Sequence, residues 1–375
     1  MLKRFSVENF KNFKEKFVFD LSARNYEFNK HLIDTNILKA AVVFGKNASG
    51  KSNLGLALMD IIAHLTDKQS GPTNPYLNLE GTKDVATFSY EFNFDGNILI
   101  YTYEKLRANI VANEKLYINQ ELIISYNHFK EDEKGICNLD DTKLLDLSLG
   151  INENKLSFVK YIFNNTIFKS NDANTRAFQK FMKYVNNMLL FYSLDKNHYR
   201  GYKKGSETIT DAIIDNDKVK DFEEFLRSVG IDYYLFVKEE DGEKGLYIDF
   251  SKGEKIEGNN ASFFSVASSG TRALCLYYHW LITATDASLI FMDEFDAYYH
   301  YELAEKIVEE TLKRKNTQII FTSHNTNLMD NRLFRPDNLF ILQSCKINCM
   351  SDLTEKELRY AHNLEKLYVA GEFDE

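Results

Sequence analysis

The chain has 375 residues, more than one ordinary domain core, and its 44% hydrophobic and 27% charged composition is that of a globular protein. A formal net charge of -9 excludes a generally basic, nucleic-acid-coating surface, though not a local basic patch. The expected organisation is one composite core with a large insertion, or two lobes. Cys137, Cys275, Cys345 and Cys349 lack the paired Cys or His spacing of a zinc site and read as reduced thiols in a cytoplasmic protein. The N-terminus lacks the apolar run of a signal peptide. The longest apolar region, 274–292, is interrupted by His279, Thr283, Thr285 and Asp286, so no membrane span is expected.

In chain order, Phe5, Val7, Phe10, Phe13, Phe17 and Phe19 suggest two strands around a turn at 8–14. Residues 39–44 form a short apolar run that suits a buried strand. A glycine-rich loop follows, and then Leu54, Leu58, Ile61, Ile62 and Leu65 recur at helical spacing. Residues 66–84 are polar, and Pro72 and Pro75 mark a surface loop. From 85 to 126 the period is two, with a hairpin signal at Asp95-Gly96-Asn97, which predicts an antiparallel β lobe. Residues 128–155 are charged and carry no pattern. Residues 156–192 read as helical, with Phe178, Phe181, Met182, Val185, Met188 and Leu189 in one apolar stripe. A helix over 211–229 and strands over 231–250, split at Asp241-Gly242, come next. No repeat or sustained heptad pattern appears, so a long coiled-coil arm is not expected.

The last third repeats one theme. Residues 288–292, 318–322 and 338–342 are apolar strands separated by helical segments, the pattern of a parallel, doubly wound α/β sheet. Ligands of such sheets lie beyond the carboxyl ends of the strands. The loop after residue 44, the pair Asp293-Glu294 and His324 all follow strand ends, so they are expected to meet at one edge.

The loop reads Gly45-Lys46-Asn47-Ala48-Ser49-Gly50-Lys51-Ser52, the G-x-x-x-x-G-K-S phosphate-binding pattern. Its glycines let successive backbone N–H groups curl around phosphate oxygens, and the helix that follows adds its positive end. Lys51 is expected to reach the β- and γ-phosphates of ATP, and the Ser52 hydroxyl to ligate Mg²⁺. Asp293 after its apolar strand would also hold Mg²⁺, and Glu294 would accept a proton from the attacking water. His324 is expected to sense the γ-phosphate. Ser268-Ser269-Gly270 precedes a helix. Either it is a plain N-cap, or it meets the γ-phosphate held by a second copy of the chain.

Together these motifs resemble the ABC-type ATPase heads of the RecF and SMC group. Phe5 to Phe13 is similar to that group's first strand and turn, 45–52 to its Walker A loop and Ser268-Ser269-Gly270 to a shortened signature. Likewise 288–294 is similar to its Walker B strand, Asp296 to its D-loop and His324 to its switch histidine. The run from Gly45 through Asn53 to Leu54, the segment Asp293-Glu294-Phe295-Asp296 and the closing Tyr368-Val369-Ala370-Gly371 look like the abortive-infection, OLD-like ATPases called AAA family fifteen.

The resemblance implies a P-loop ABC-type head with a mostly parallel sheet, an antiparallel β lobe and an inserted helical lobe. On that reading 1–127 is the N-terminal half of the head, 128–260 the inserted lobe and 261–375 the C-terminal half. It implies an ATP-dependent homodimer or higher oligomer, with each nucleotide between one copy's loop and the other's signature. By analogy Lys11 and Asn12 touch the nucleotide, a simple turn being the alternative. Tyr299-His300-Tyr301 replaces the family's Leu-His-Pro, which leaves His300 without an assigned role, and no Q-loop glutamine is placed. Relatives act in anti-phage defence beside a nuclease, sometimes a fused TOPRIM domain, so a separate effector chain is implied here. A RecF-like DNA-repair ATPase and a structural nucleotide-binding module with little turnover are the alternatives. A basic, tyrosine-bearing stretch at 196–204 is either a nucleic-acid contact or a solvated loop.

Overall fold

Two seven-stranded sheets carry the architecture in the computed structural model, which describes residues 1–68, 74–130, 134–148, 156–192, 199–201, 209–240, 242–251 and 259–373. The core sheet runs in the order Tyr199–Gly201, Met188–Tyr192, Leu289–Asp293, Gln318–Ser323, Ala40–Phe44, Leu339–Gln343, Lys346–Cys349. Its five inner strands are parallel and the two outer ones antiparallel to their neighbours. The strands Ala40–Phe44 and Leu289–Asp293 are buried along their whole length, as the continuous apolar runs predict for a sheet covered on both faces.

Alternation along each strand feeds two separate cores. Ala41, Val43, Phe291 and Ile320 point to one, with Leu54, Leu58 and the inner face of the antiparallel lobe. Ala40, Val42, Phe44, Ile290, Met292 and Phe321 point to the other, under the helices Val219–Ser228, Ser269–Thr283 and Tyr301–Leu312. This is the doubly wound arrangement expected from the strand–helix alternation.

The second sheet is the antiparallel lobe. Leu2–Glu8 pairs with both Phe17–Asp20 and Ala86–Phe94, and Asn97–Arg107, Ile110–Ile118 and Glu121–Asn127 follow as a meander. Period-two burial puts Phe88, Tyr90, Phe92, Tyr101 and Tyr103 inward.

The apolar stripe read over 156–192 stops short of its predicted end. Helices run over Phe158–Asn165 and Ala173–Asn186, but Met188 and Leu189 lie on a strand. Met188–Tyr192 pairs in parallel with Leu289–Asp293, so the interval 128–260 also supplies a strand to the core sheet. Five consecutive apolar residues fit a buried strand or a buried helix equally well by periodicity, and pairing with a distant strand decides. Residues 211–229 likewise form two helices, Ile209–Asp215 and Val219–Ser228, with Asp217 in the left-handed region between them (φ 54).

Candidate functional site

The phosphate-binding loop leaves the strand Ala40–Phe44 and enters the helix Lys51–Leu58. Gly50 caps that helix at φ 109, a conformation that side chains rarely adopt, and a Cβ there would collide with the Asn12 amide. At Gly45 a Cβ would lie 2.6 Å from Ser49 Oγ and 2.7 Å from the Leu342 carbonyl. Lys51 is buried. Its ammonium donates to the Gly45 carbonyl at 3.0 Å and lies 2.8 Å from His324 Nε2. Burial pushes this ammonium's pKa down, opposed by Glu294, Asp293 and Asp296.

Parallel pairing brings the other strand ends to the same edge: Ser323 lies opposite Phe44, and Phe321 opposite Met292. His324 Nε2 is 3.6 Å from Glu294 Oε1, so Lys51, His324 and Glu294 form a contiguous set. Asp293 is buried and hydrogen-bonded by Ser52 and by the Thr322 hydroxyl, the latter at 2.8 Å. Burial raises its carboxyl pKa, outweighing those two hydrogen bonds. Asp296 accepts from Ser323 Oγ at 2.5 Å, and burial raises its carboxyl too. Glu294 is held in the left-handed region at φ 46, which costs a residue with a Cβ about 1–2 kcal/mol.

The remaining sequence candidates lie around this centre. Asn12 Oδ1 accepts from Asn53 Nδ2 at 2.7 Å, while Lys11 Nζ donates to the Pro75 carbonyl at 3.3 Å. Lys46, Asn47 and Ala48 are exposed on the loop, with Ala48 at φ 62. Ser268 caps the helix Ser269–Thr283 by accepting from the Thr271 amide. Ser269 is exposed beside it, and Gly270 packs against the Tyr298 carbonyl. His300 is exposed at the N-terminus of Tyr301–Leu312. Of the basic stretch 196–204, only the backbone of Tyr199–Gly201 falls within the described residues.

Two residues that the sequence reading did not single out matter here. Thr322 and Ser323 end the Gln318–Ser323 strand just before His324, and each hydrogen-bonds one of the acidic residues. The signal for them was the hydroxyl pair between an apolar strand and the histidine.

The residues fit a nucleotide and its cation. The Ser49 hydroxyl is buried without a hydrogen-bond partner, and the Lys51 ammonium rests on its own loop's carbonyl. The Ser52 hydroxyl and Asp293 carboxylate, side by side, form the all-oxygen donor pair that suits Mg²⁺.

A parallel sheet with a phosphate-binding loop, an acidic pair and a histidine at adjacent strand ends defines a P-loop ATPase fold. Residues 40–330 match the family described as "AAA domain, putative AbiEii toxin, Type IV TA system", and the chain belongs to that family. Among curated proteins no sequence matches. Similar solved structures include the SMC head domain from Thermotoga maritima, at TM-score 0.42 and 15% identity over 91% of this chain and 94% of that one. An SMC head bound to the C-terminal winged-helix domain of ScpA is similar at TM-score 0.46 and 12% identity, covering 92% and 96%. The Smc head with an extended coiled coil, bound to the C-terminal domain of ScpA derived from Pyrococcus furiosus, gives TM-score 0.43 and 11% identity, covering 92% and 95%. Among the described residues, no helix is long and apolar enough to cross a membrane.

Proposed function

We propose that this chain binds ATP with Mg²⁺ at the 45–52 loop, hydrolyses it, and closes on a second copy when the nucleotide is bound. The observation that carries this reading is the set formed by Lys51, His324 and Glu294 beside the Ser52–Asp293 pair. Mg²⁺ held by Ser52 and Asp293 would neutralise phosphate charge. Lys51 exchanges its His324 contact for phosphate oxygens and leaves the imidazole facing the γ-phosphate position. Glu294 takes the proton of the attacking water. Ser269, exposed at a helix N-terminus, and Gly270 beside it meet the γ-phosphate bound to the partner copy.

In the cell the head serves as a cytoplasmic sensor or scaffold in anti-phage defence, acting through a separate effector such as a TOPRIM-type nuclease. The matched family's description, with its abortive-infection toxin, supports this setting over DNA repair.

Three variants test the reading. Lys51→Ala abolishes ATP binding. Glu294→Gln retains binding, slows turnover about 100-fold or more, and accumulates an ATP-bound dimer by light scattering. Ser269→Arg keeps ATP binding by the monomer and blocks dimer closure. Normal turnover in Glu294→Gln removes the base assignment, and loss of monomer binding in Ser269→Arg removes the shared site. Pull-down from the native host with Glu294→Gln and ATP identifies the effector. Recovery of replication or repair proteins in place of a nuclease or toxin overturns the defence role.

A further inference from the structure

Thr322 stands inside the site with no role in the chemistry described so far. It is fully buried on the Gln318–Ser323 strand, opposite Val43 of the strand that feeds the phosphate-binding loop. Its hydroxyl makes two hydrogen bonds to two consecutive residues. It donates to Asp293 Oδ1 at 2.8 Å and accepts from the Glu294 amide at 2.7 Å. The directions follow from the groups themselves: an ionised carboxylate only accepts, and an amide N–H only donates. One hydroxyl therefore uses its single proton and one lone pair in a fixed sense.

The second bond falls where the backbone is strained. Glu294 sits at φ 46 although it carries a side chain. Such a conformation persists where the surroundings over-determine it. Thr322 holds the amide that enters this turn, and the turn sends the Glu294 carboxylate back toward His324. The first bond pins one oxygen of Asp293, whose carboxylate is also bonded by Ser52. The spacing between the cation-holding carboxylate and the water-activating carboxylate thus runs through one buried oxygen atom. β-branching locks that oxygen further, because Thr has few χ1 choices on a strand.

We propose that Thr322 is a positioning residue for ATP hydrolysis, a hydroxyl clamp that sets Glu294 relative to Asp293. This rests on the ATPase reading above and adds a residue that acts through the other two. It contributes to the rate and little to nucleotide affinity, because Lys51 and the loop amides lie outside its hydrogen bonds.

The test uses Thr322→Val, which keeps shape and β-branching but removes both bonds, and Thr322→Ser, which restores the hydroxyl. In Thr322→Val, kcat falls about 100-fold, the loss expected when a catalytic group shifts by about 1 Å. The Kd for ATP, read by calorimetry, stays within about threefold, the pattern of a group acting mainly in the transition state. Thr322→Ser recovers most of the lost kcat. In the same variants, hydrogen exchange at the Glu294 amide accelerates for Val and stays slow for Ser, whether or not ATP turns over. Unchanged kcat in Thr322→Val, an equal loss in Val and Ser, or a parallel loss of ATP affinity overturns the clamp. So does unchanged amide exchange in Thr322→Val. Absence of turnover in the wild-type chain counts against the ATPase reading instead, and the exchange measurement still decides the clamp.

Discussion

Lys51 Nζ and His324 Nε2 lie 2.8 Å apart, although 273 residues separate them in the chain. A protonated ammonium can only donate, so Nε2 must accept, and a neutral imidazole that accepts at Nε2 carries its proton on Nδ1. The contact therefore fixes a tautomer. Nitrogen-detected NMR of the nucleotide-free protein is expected to show His324 Nε2 without a proton. Adding ATP with Mg²⁺ is expected to draw Lys51 to the phosphates and change that signal. In Lys51→Ala the tautomer preference is lost without nucleotide. A protonated Nε2 in the nucleotide-free wild type would contradict the arrangement.

Gly50 gives a second prediction. Its φ of 109 and the Asn12 amide beside its missing Cβ are independent obstacles to any side chain. Gly50→Ala is expected to weaken ATP binding at least about fivefold, since forcing Ala into a positive φ costs about 1 kcal/mol or more before any clash is counted. Adding Asn12→Ala relieves the clash and leaves the φ strain, so the double variant recovers only part of the affinity by calorimetry. Full recovery would mean that the clash alone matters.

The site was legible in the sequence to the extent that its residues follow strand ends. The 45–52 loop is contiguous, and Asp293, Glu294 and His324 each close an apolar run, so one edge of a parallel sheet was enough to bring them together. The hydroxyl of Thr322 beside the histidine was visible, but its role was not, because it depends on bonds to Asp293 and Glu294, 29 and 28 residues away in the chain. The strand Met188–Tyr192 was hidden for a related reason: its partner Leu289–Asp293 is a hundred residues further on. The antiparallel lobe announced itself through period two. That pattern could not reveal that Lys105, at an inward position beside Tyr101 and Tyr103, would be buried against a helix carboxylate.

That buried pair carries the third prediction. Lys105 Nζ lies 2.6 Å from Asp60 Oδ2, and Tyr103 and Tyr76 also donate to the Asp60 carboxylate, at 2.9 and 3.0 Å. Asp60 opens the helix Asp60–Leu65 directly after the helix of the phosphate-binding loop, so the pair ties the β lobe to the site's scaffold. Asp60→Ala strands a buried ammonium and two hydroxyls, and is expected to cost about 3–5 kcal/mol in urea unfolding. Lys105→Met removes the cation and fills its space, and costs clearly less. Equal losses in both variants would show that packing, rather than the uncompensated charge, sets the stability.

Asp172 gives the fourth, through pH. It caps the helix Ala173–Asn186, accepting from the Thr175 amide at 2.9 Å and from Ser170 Oγ at 2.7 Å. Burial pushes its carboxyl up, but these hydrogen bonds outweigh burial and bring the pKa from its ordinary 3.8 down to about 2. A carboxyl with a depressed folded pKa stabilises the fold above its unfolded value and loses that contribution as pH falls toward the folded one. The cap is therefore complete above about pH 4 and is lost between there and about pH 2. Asp172→Ala is expected to cost about 1 kcal/mol at neutral pH, as loss of a helix cap does. Asp172→Asn keeps a capping oxygen without a titrating group, so its stability, followed by denaturant unfolding from pH 5 downward, declines less steeply than the wild type's. Parallel pH profiles for the wild type and Asp172→Asn would place the acid sensitivity of this helix elsewhere.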